Sequence, residues 1–169
     1  LNQKINTKYV LYFHNDPLSM KGSKTLYERQ TLINNIDKII FVSKWVQKRF
    51  FQNLDQKLIN KTEVIYPSIH PEKKLFRKKN RIVFVGKLNP SKGYDIYRDA
   101  ITKILNEFSD WKAFSIGDES RNKPIIKHKK HEELGYLNHK EVLDFLKYSE
   151  IAVVPSRWEE PFGRTALES

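Results

Sequence analysis

Two stretches of the chain hold residues whose types and spacing suit work on a charged, hydroxyl-rich ligand. The first is RIVFVGKLNPSKGYDIY, from Arg81 to Tyr97. It reads as a buried strand, a glycine, a polar loop with two lysines, and then a helix. That places Gly86 at the carboxyl end of a strand, where doubly wound sheets bind their ligands. A glycine there lets a phosphate approach the backbone, the following helix offers open N–H groups and the positive end of its dipole, and Lys87 and Lys92 add compact charge. A diphosphate suits this loop. Its spacing is neither that of a Walker loop nor G-x-G-x-x-G, and an ordinary turn with solvated lysines is the alternative.

The second stretch, IAVVPSRWEEPFGRTALES, runs from a strand through Pro155-Ser156 and a glutamate-rich turn into a helix that starts near Arg164. Seven residues separate Glu160 from Glu168. Were the interval wholly helical, the two would stand about 12 Å apart at about 1.5 Å per residue, beyond the roughly 5–9.5 Å of paired carboxylates in glycoside hydrolysis. An acid/base pair is therefore disfavoured. Two acceptor-only carboxylates flanking a glycine are better suited to gripping different hydroxyls of one polyhydroxylated ligand, with Gly163 admitting it to the backbone N–H groups. A capped helix with solvated glutamates is the alternative here.

Residues of this kind need a scaffold, and the pattern around them is that of an α/β protein with parallel strands. Short apolar runs at Tyr9–Phe13, Lys38–Val42, Glu63–Tyr66, Arg81–Val85, Lys112–Ile116 and Ile151–Val154 alternate with helical patterns. Residues 94–108 space Tyr97, Ala100, Ile101, Ile104, Leu105 and Phe108 at helical intervals. Asn138 with Glu141 reads as a cap before Val142, Leu143 and Leu146, and Ser43 caps a helix with Trp45, Val46, Arg49 and Phe50. Pro67, Pro71 and the run from Glu72 to Lys79 interrupt the periodicity. The expected division is 1–70, a linker at 71–80, and 81–169.

Composition narrows the function classes. The chain is 39% apolar and 12% aromatic over 169 residues, too rich in Phe and Tyr for disorder. It has no cysteine, which excludes thiol catalysis and thiolate metal sites. No apolar run approaches the roughly 20 residues of a membrane span, and the start has no signal-peptide layout, so the expected location is the cytoplasm. Of the net charge of +11, residues 1–79 hold 16 Lys and Arg against 6 Asp and Glu, and residues 80–169 hold 15 against 14. The basic half suits an anionic surface, such as the inner face of a membrane. An AT-rich codon bias explains the same lysines.

The ordered motifs resemble retaining glycosyltransferase family 4. Glu160-Pro161-Phe162-Gly163 with Glu168 is similar to its Glu-x7-Glu motif, and VGKLNPSKG to its Gly-Arg-Leu-x3-Lys-Gly loop. AFSIGDES resembles its strand ending in a Gly-Asp turn, LGYLNHKEVLDFLKYSEIAVVPS its Leu-Gly-Tyr to Pro-Ser stretch, and FVSKWVQKRF with VIYPSIHPEKKLF its passage between domains. The resemblance implies the GT-B architecture of two Rossmann-like domains. Residues 1–70 then match the later part of the acceptor-side domain, and 81–169 the first part of the nucleotide-sugar domain, so the chain reads as an internal fragment. Lys87 stands where the family usually has Arg, which keeps the charge and loses the bidentate fork. Pro67-Ser68 stands where Asn-Gly is common.

The resemblance further implies roles. Lys87 and Lys92 contact a donor diphosphate, and Gly86 allows its close approach. Glu168 binds ribose hydroxyls. Glu160 holds the donor sugar's hydroxyls with the backbone of Phe162, Gly163 and Arg164, while Gly135-Tyr136-Leu137 lies against the base. His14, after the first strand, stands near the donor sugar; His70, His128, His131 and His139 read as surface or linker residues. The implied activity is a retaining, metal-independent hexosyl transfer from a nucleoside-diphosphate sugar, as substrate and with no cofactor, to a glycan or lipid-linked acceptor. The chain offers no Asp-x-Asp pair for a metal–diphosphate bridge. The competing readings are another GT-B enzyme, such as a glycogen-type synthase or an epimerase, and a basic module for nucleic acid or another polyanion with a non-functional sugar site. Against the module, Phe41, Trp45, Phe50 and Phe51 fall at core spacings, so no nucleic-acid partner is expected.

Overall fold

A computed structural model describes residues 7–71, 76–121 and 123–169. The chain divides into two units, Leu1–Ser68 and Ile69–Ser169. The run Glu72-Lys73-Lys74-Leu75, part of the expected linker, lies outside the described residues.

The first unit is a parallel sheet of β1 (Val10–Phe13), β2 (Lys38–Phe41) and β3 (Thr62–Val64), in that order. Helix α1 (Leu26–Asn35) joins β1 to β2, and α2 (Lys44–Phe50) follows β2. Ser43 accepts from the Val46 N–H at 3.2 Å, the expected cap. Alternation along the strands sends Phe13, Ile39 and Phe41 inward, where Phe13, Phe41, Phe50 and Phe51 form a chain of ring contacts with centroids 5.2–6.0 Å apart. Phe41, Phe50 and Phe51 are thus core residues and present no stacking surface to a nucleic acid. Only Trp45 of the four is part-exposed, with the Arg49 guanidinium over its ring.

The second unit is a four-stranded parallel sheet in the order β6-β5-β4-β7, made of β4 (Lys79–Val85), β5 (Lys112–Ile116), β6 (His131–Gly135) and β7 (Ser149–Val153). Strand β4 begins earlier than its apolar run, taking Lys79 and Asn80 from the expected linker, and the Lys79 N–H donates to Tyr148 O at 2.9 Å. On one face Ile82, Phe84 and Ala113 pack against α3 (Tyr94–Glu107). On the other, Val83, Phe114 and Ile116 pack against α4 (His139–Lys147). The buried stripe of α3 is Tyr94, Tyr97, Ile101 and Leu105. Ala100 and Phe108, expected on that stripe, are exposed, and Phe108 lies just past the helix as its extended C-cap. Asn138 and Glu141 form the expected capping box.

The chain passes from β4 outward through β5 to β6, then returns to β7 on the other side of β4. Neighbouring strands whose connections leave in opposite directions make a switch point, and the loops beyond their carboxyl ends part to leave a crevice. Here those loops are the lysine-bearing segment after β4 and the glutamate-bearing segment after β7.

Candidate functional site

Each loop is fastened before it presents anything. After β4, Leu88 is fully buried in the α3-side core and anchors the loop from below. Asn89 caps a single 3₁₀ turn, Pro90–Lys92, accepting from the Lys92 N–H at 3.2 Å and the Ser91 hydroxyl at 2.7 Å. Gly93 then takes a left-handed conformation, φ 73°, and α3 begins. The inserted turn takes up two of the N–H groups at the helix start: Gly93 N–H donates to Pro90 O and Tyr94 N–H to Asn89 O. The lysine side chains add positive charge beside them. Lys87 is exposed and makes no ion pair among the described residues.

The loop after β7 is bound to the first along its length. Arg157 N–H and Trp158 N–H both donate to Ser91 O, at 3.0 and 3.1 Å. The Arg157 guanidinium bridges both oxygens of Asp95 at 2.6 and 2.8 Å and donates to Pro90 O at 2.9 Å. These bonds hold the Asp95 carboxyl below the usual carboxylate range. A Cβ on Gly93 would lie 2.0 Å from Pro155 O, so only glycine allows the loops to meet there. The result is an ion pair between Lys92 and Glu160, with the Ser156 hydroxyl donating to the same glutamate oxygen at 3.0 Å. Gly86, Lys92, Ser156, Glu160 and Thr165 line a crevice of about 50 Å³ over Phe84 and Val153, room for a group the size of a water.

Glu168 lies in a second polar group. Its carboxylate accepts from Arg164 at 2.8 Å, stands 3.0 Å from His139 Nε2, and its side chain is 8% exposed. Only Arg164–Glu168 is helical (α5), so the interval from Glu160 is not the continuous helix that the 12 Å figure assumed. The two glutamates have different partners, Lys92 and Ser156 for Glu160, Arg164 and His139 for Glu168. His139, at the first turn of α4, is exposed as the sequence reading has it and also contributes to this group. His131, also assigned to the surface, is half-buried on β6, 2.8 Å from Ser115 Oγ, and burial lowers its pKa.

At the end of β6, Gly135 turns the chain with φ 68°, and its carbonyl accepts from Gly117 N–H at 2.8 Å. Tyr136 is 82% exposed, whereas Leu137 packs on the α4-side core, so Tyr136 supplies the outward side chain of that segment. The Phe162 carbonyl accepts from the Arg164 N–H at 2.9 Å and that of Gly163 from the Leu167 N–H at 3.3 Å, so these residues also start α5. His14 lies in the first unit, exposed after β1, its ring 4.2 Å from that of Tyr12.

Sequence reasoning missed the residues that hold the loops. Asn89 donates to Glu119 at 2.8 Å, and Arg121 grips the same carboxylate at 2.8 and 2.9 Å. Arg121 first and Asn89 second bring the Glu119 pKa down to about 2. Gly117 admits Gly86, since a Cβ there would lie 1.9 Å from Gly86 O. Positions 89, 95, 117, 119 and 157 show no periodicity that would have marked them.

The sequence profile of the family described as Glycosyl transferases group 1 matches residues 66–169. Uncharacterized glycosyltransferase MJ1178 of Methanocaldococcus jannaschii is 36% identical over 178 residues, a match covering 99% of this chain and 48% of that protein. Among solved structures, a variant of S. aureus TarM in complex with fondaparinux, α-GlcNAc-glycerol and UDP superposes with a TM-score of 0.69 at 14% identity, over 98% of this chain and 35% of that one. Anabaena HepE in complex with UDP and glucose gives 0.66 at 16% identity, over 95% and 50%. The fold is therefore α/β of the GT-B type, with parts of two Rossmann-like units, and the chain spans about half the length of the curated relatives it matches.

Proposed function

The chain belongs to the group 1 glycosyl transferases, and on that premise we propose that the protein carrying it moves a sugar from a nucleoside-diphosphate donor to a glycan or lipid-linked acceptor with retention, as family 4 enzymes do. The observation that carries the reading is the meeting of Lys92 and Glu160 at the switch point. A cation suited to a diphosphate and a carboxylate suited to sugar hydroxyls stand within contact of each other, the arrangement a sugar diphosphate requires at its junction.

Lys87 and Lys92 bind the diphosphate beside Gly86. Glu160 and the backbone at Phe162, Gly163 and Arg164 hold the sugar, Glu168 the ribose, and the segment Gly135-Tyr136-Leu137 the base. The bond from the anomeric carbon to the diphosphate oxygen breaks as the acceptor oxygen arrives on the same face, and the acceptor proton passes to the departing phosphate. Charge grows on the leaving diphosphate, and an ammonium already in place stabilises it without reorganisation. The complexes of TarM and HepE with UDP support a nucleotide at this fold.

Ligand-observed NMR on the full-length protein with UDP-, GDP- and ADP-sugars, followed by analysis of the product anomer, tests the reading. One sugar nucleotide is expected to bind and to yield a product of unchanged configuration. Binding of none, or an inverted product, would overturn it.

A further inference from the structure

Glu168 is held from two elements, and both donors converge on one of its oxygens. Arg164, a turn back on α5, donates from Nη2 to Oε1 at 2.8 Å. His139 Nε2 stands 3.0 Å from the same atom. A carboxylate only accepts, so His139 Nε2 carries the proton of that contact, and the 3.4 Å approach of Arg164 to the same nitrogen is then not a hydrogen bond. No donor among the described residues reaches Oε2. The Glu168 side chain is 8% exposed, whereas those of Arg164 and His139 are 62 and 55% exposed.

The two donors differ in what they are fastened to. Arg164 and Glu168 ride on the same five-residue helix, so their pair turns wherever that helix turns. His139 opens α4, whose start is closed by the reciprocal bonds of Asn138 and Glu141 at 2.8 and 3.1 Å. The buried Val142 and Leu146 of α4 pack on the sheet beside Val83, Phe114 and Ile116. The bond from His139 therefore ties the carboxylate of α5 to the sheet.

We propose that His139 is a positioning residue for the donor nucleotide: it fixes Oε1 of Glu168 and so presents Oε2 to the ribose hydroxyls. The inference rests on the reading of Glu168 as the ribose carboxylate. A carboxylate tied at one end has its orientation set before the ligand arrives, which lowers the entropy lost on binding. Vicinal hydroxyls that share one fixed oxygen are also told sharply from a sugar lacking one of them, because an acceptor held for that hydroxyl is then left unpaired. Two phosphates separate the ribose from the bond that breaks, so His139 acts on donor affinity and on the choice of ribose over deoxyribose.

The test is calorimetric titration of the full-length protein with UDP, GDP and ADP and with the 2′-deoxy and 3′-deoxy forms of each, the base that binds best carrying the comparison. The unaltered protein should prefer the ribonucleotide by about ten- to a hundredfold. His139→Ala is expected to weaken ribonucleotide binding by about two- to tenfold and deoxynucleotide binding less, so that the preference narrows. His139→Gln, whose side-chain amide can donate in place of the imidazole, should restore it. Both variants should keep their melting temperature, because the side chain is exposed. Glu168→Gln separates the two readings. If it narrows the preference and His139→Ala does not, the positioning role is overturned while the ribose reading stands. If neither variant changes the preference, the ribose reading falls and this inference with it. A loss in His139→Ala shared equally by ribo- and deoxynucleotides, or one that His139→Gln does not restore, would also overturn the proposal.

Discussion

Lys92 and Glu160, 68 positions apart, form an ion pair at the carboxyl ends of β4 and β7, and Ser156 donates to the same carboxylate oxygen. Both side chains are about a quarter to a third exposed, so the pair stands at the rim of the crevice, where a ligand can exchange for either partner. Removing one partner leaves the other to find water, at modest cost in stability.

Lys92→Ala is therefore expected to leave folding intact and to lower turnover more than donor affinity. Hydrogen bonds to charged groups contribute about 1.5–3 kcal/mol, or roughly ten- to a hundredfold in rate if the contact strengthens as the diphosphate leaves. Lys87→Arg should be tolerated. Initial rates of the full-length protein with its donor, with and without EDTA, check this. Loss in EDTA rescued by magnesium, with Lys92→Ala unaffected, would refute the lysine role.

Arg157 and Asp95 should behave as one unit, because their bidentate bridge joins the two loops. Arg157→Ala and Asp95→Asn are each expected to lower kcat/KM by on the order of ten- to a hundredfold, as displacement of a binding group by about an ångström does. The double variant should be little worse than the poorer single. A double-mutant cycle measures this, and additive losses would separate the two residues.

Three glycines with positive φ should rank by what a methyl group would meet. Gly135→Ala has open space and is expected to cost only the roughly 1–2 kcal/mol of a left-handed residue. Gly93→Ala and Gly117→Ala meet backbone at 2.0 and 1.9 Å and should cost distinctly more, since the loops themselves must part. Urea denaturation of the three variants gives the order, and equal losses would show that the loops give way easily.

Glu119 should make part of the acid sensitivity. Its pKa falls from 4.5 to about 2 on folding, through Arg121 and Asn89. A depressed carboxylate contributes stability above its unfolded pKa and loses it as pH falls toward the folded one. The expected window is pH 4.5 down to about 2. Glu119→Gln should flatten the denaturation midpoint across that window, and an unchanged slope would show that the brace does not persist in solution.

Local pattern determined most of the elements. The apolar run Lys112–Ile116 is β5 residue for residue, and the helix expected over 94–108 is Tyr94–Glu107. Both follow from burial of one face, which leaves a period in the sequence. Two elements left none. Strand β6, His-Glu-Glu-Leu-Gly, lies at the sheet edge and has no apolar alternation, while α1 buries only Arg29 and Ile33, and its Thr25–Glu28 capping box emerges only with the structure.

The same division runs through the site. Its glycines, lysines and glutamates were legible because each set lies in one contiguous loop beside a strand end. That Lys92 touches Glu160, that Arg157 locks onto Asp95 62 positions away, that Asn89 reaches Glu119 30 positions on, and that His139 reaches Glu168 29 positions on were decided by the tertiary structure. The pairings of Lys92 with Glu160 and of Arg157 with Asp95 depend on the return of the chain from β6 to β7 beside β4, and that of Asn89 with Glu119 on β5 lying along the other side of β4. Strand order is settled by which faces pack together across the whole sheet, and that leaves no periodic mark on the residues it brings into contact.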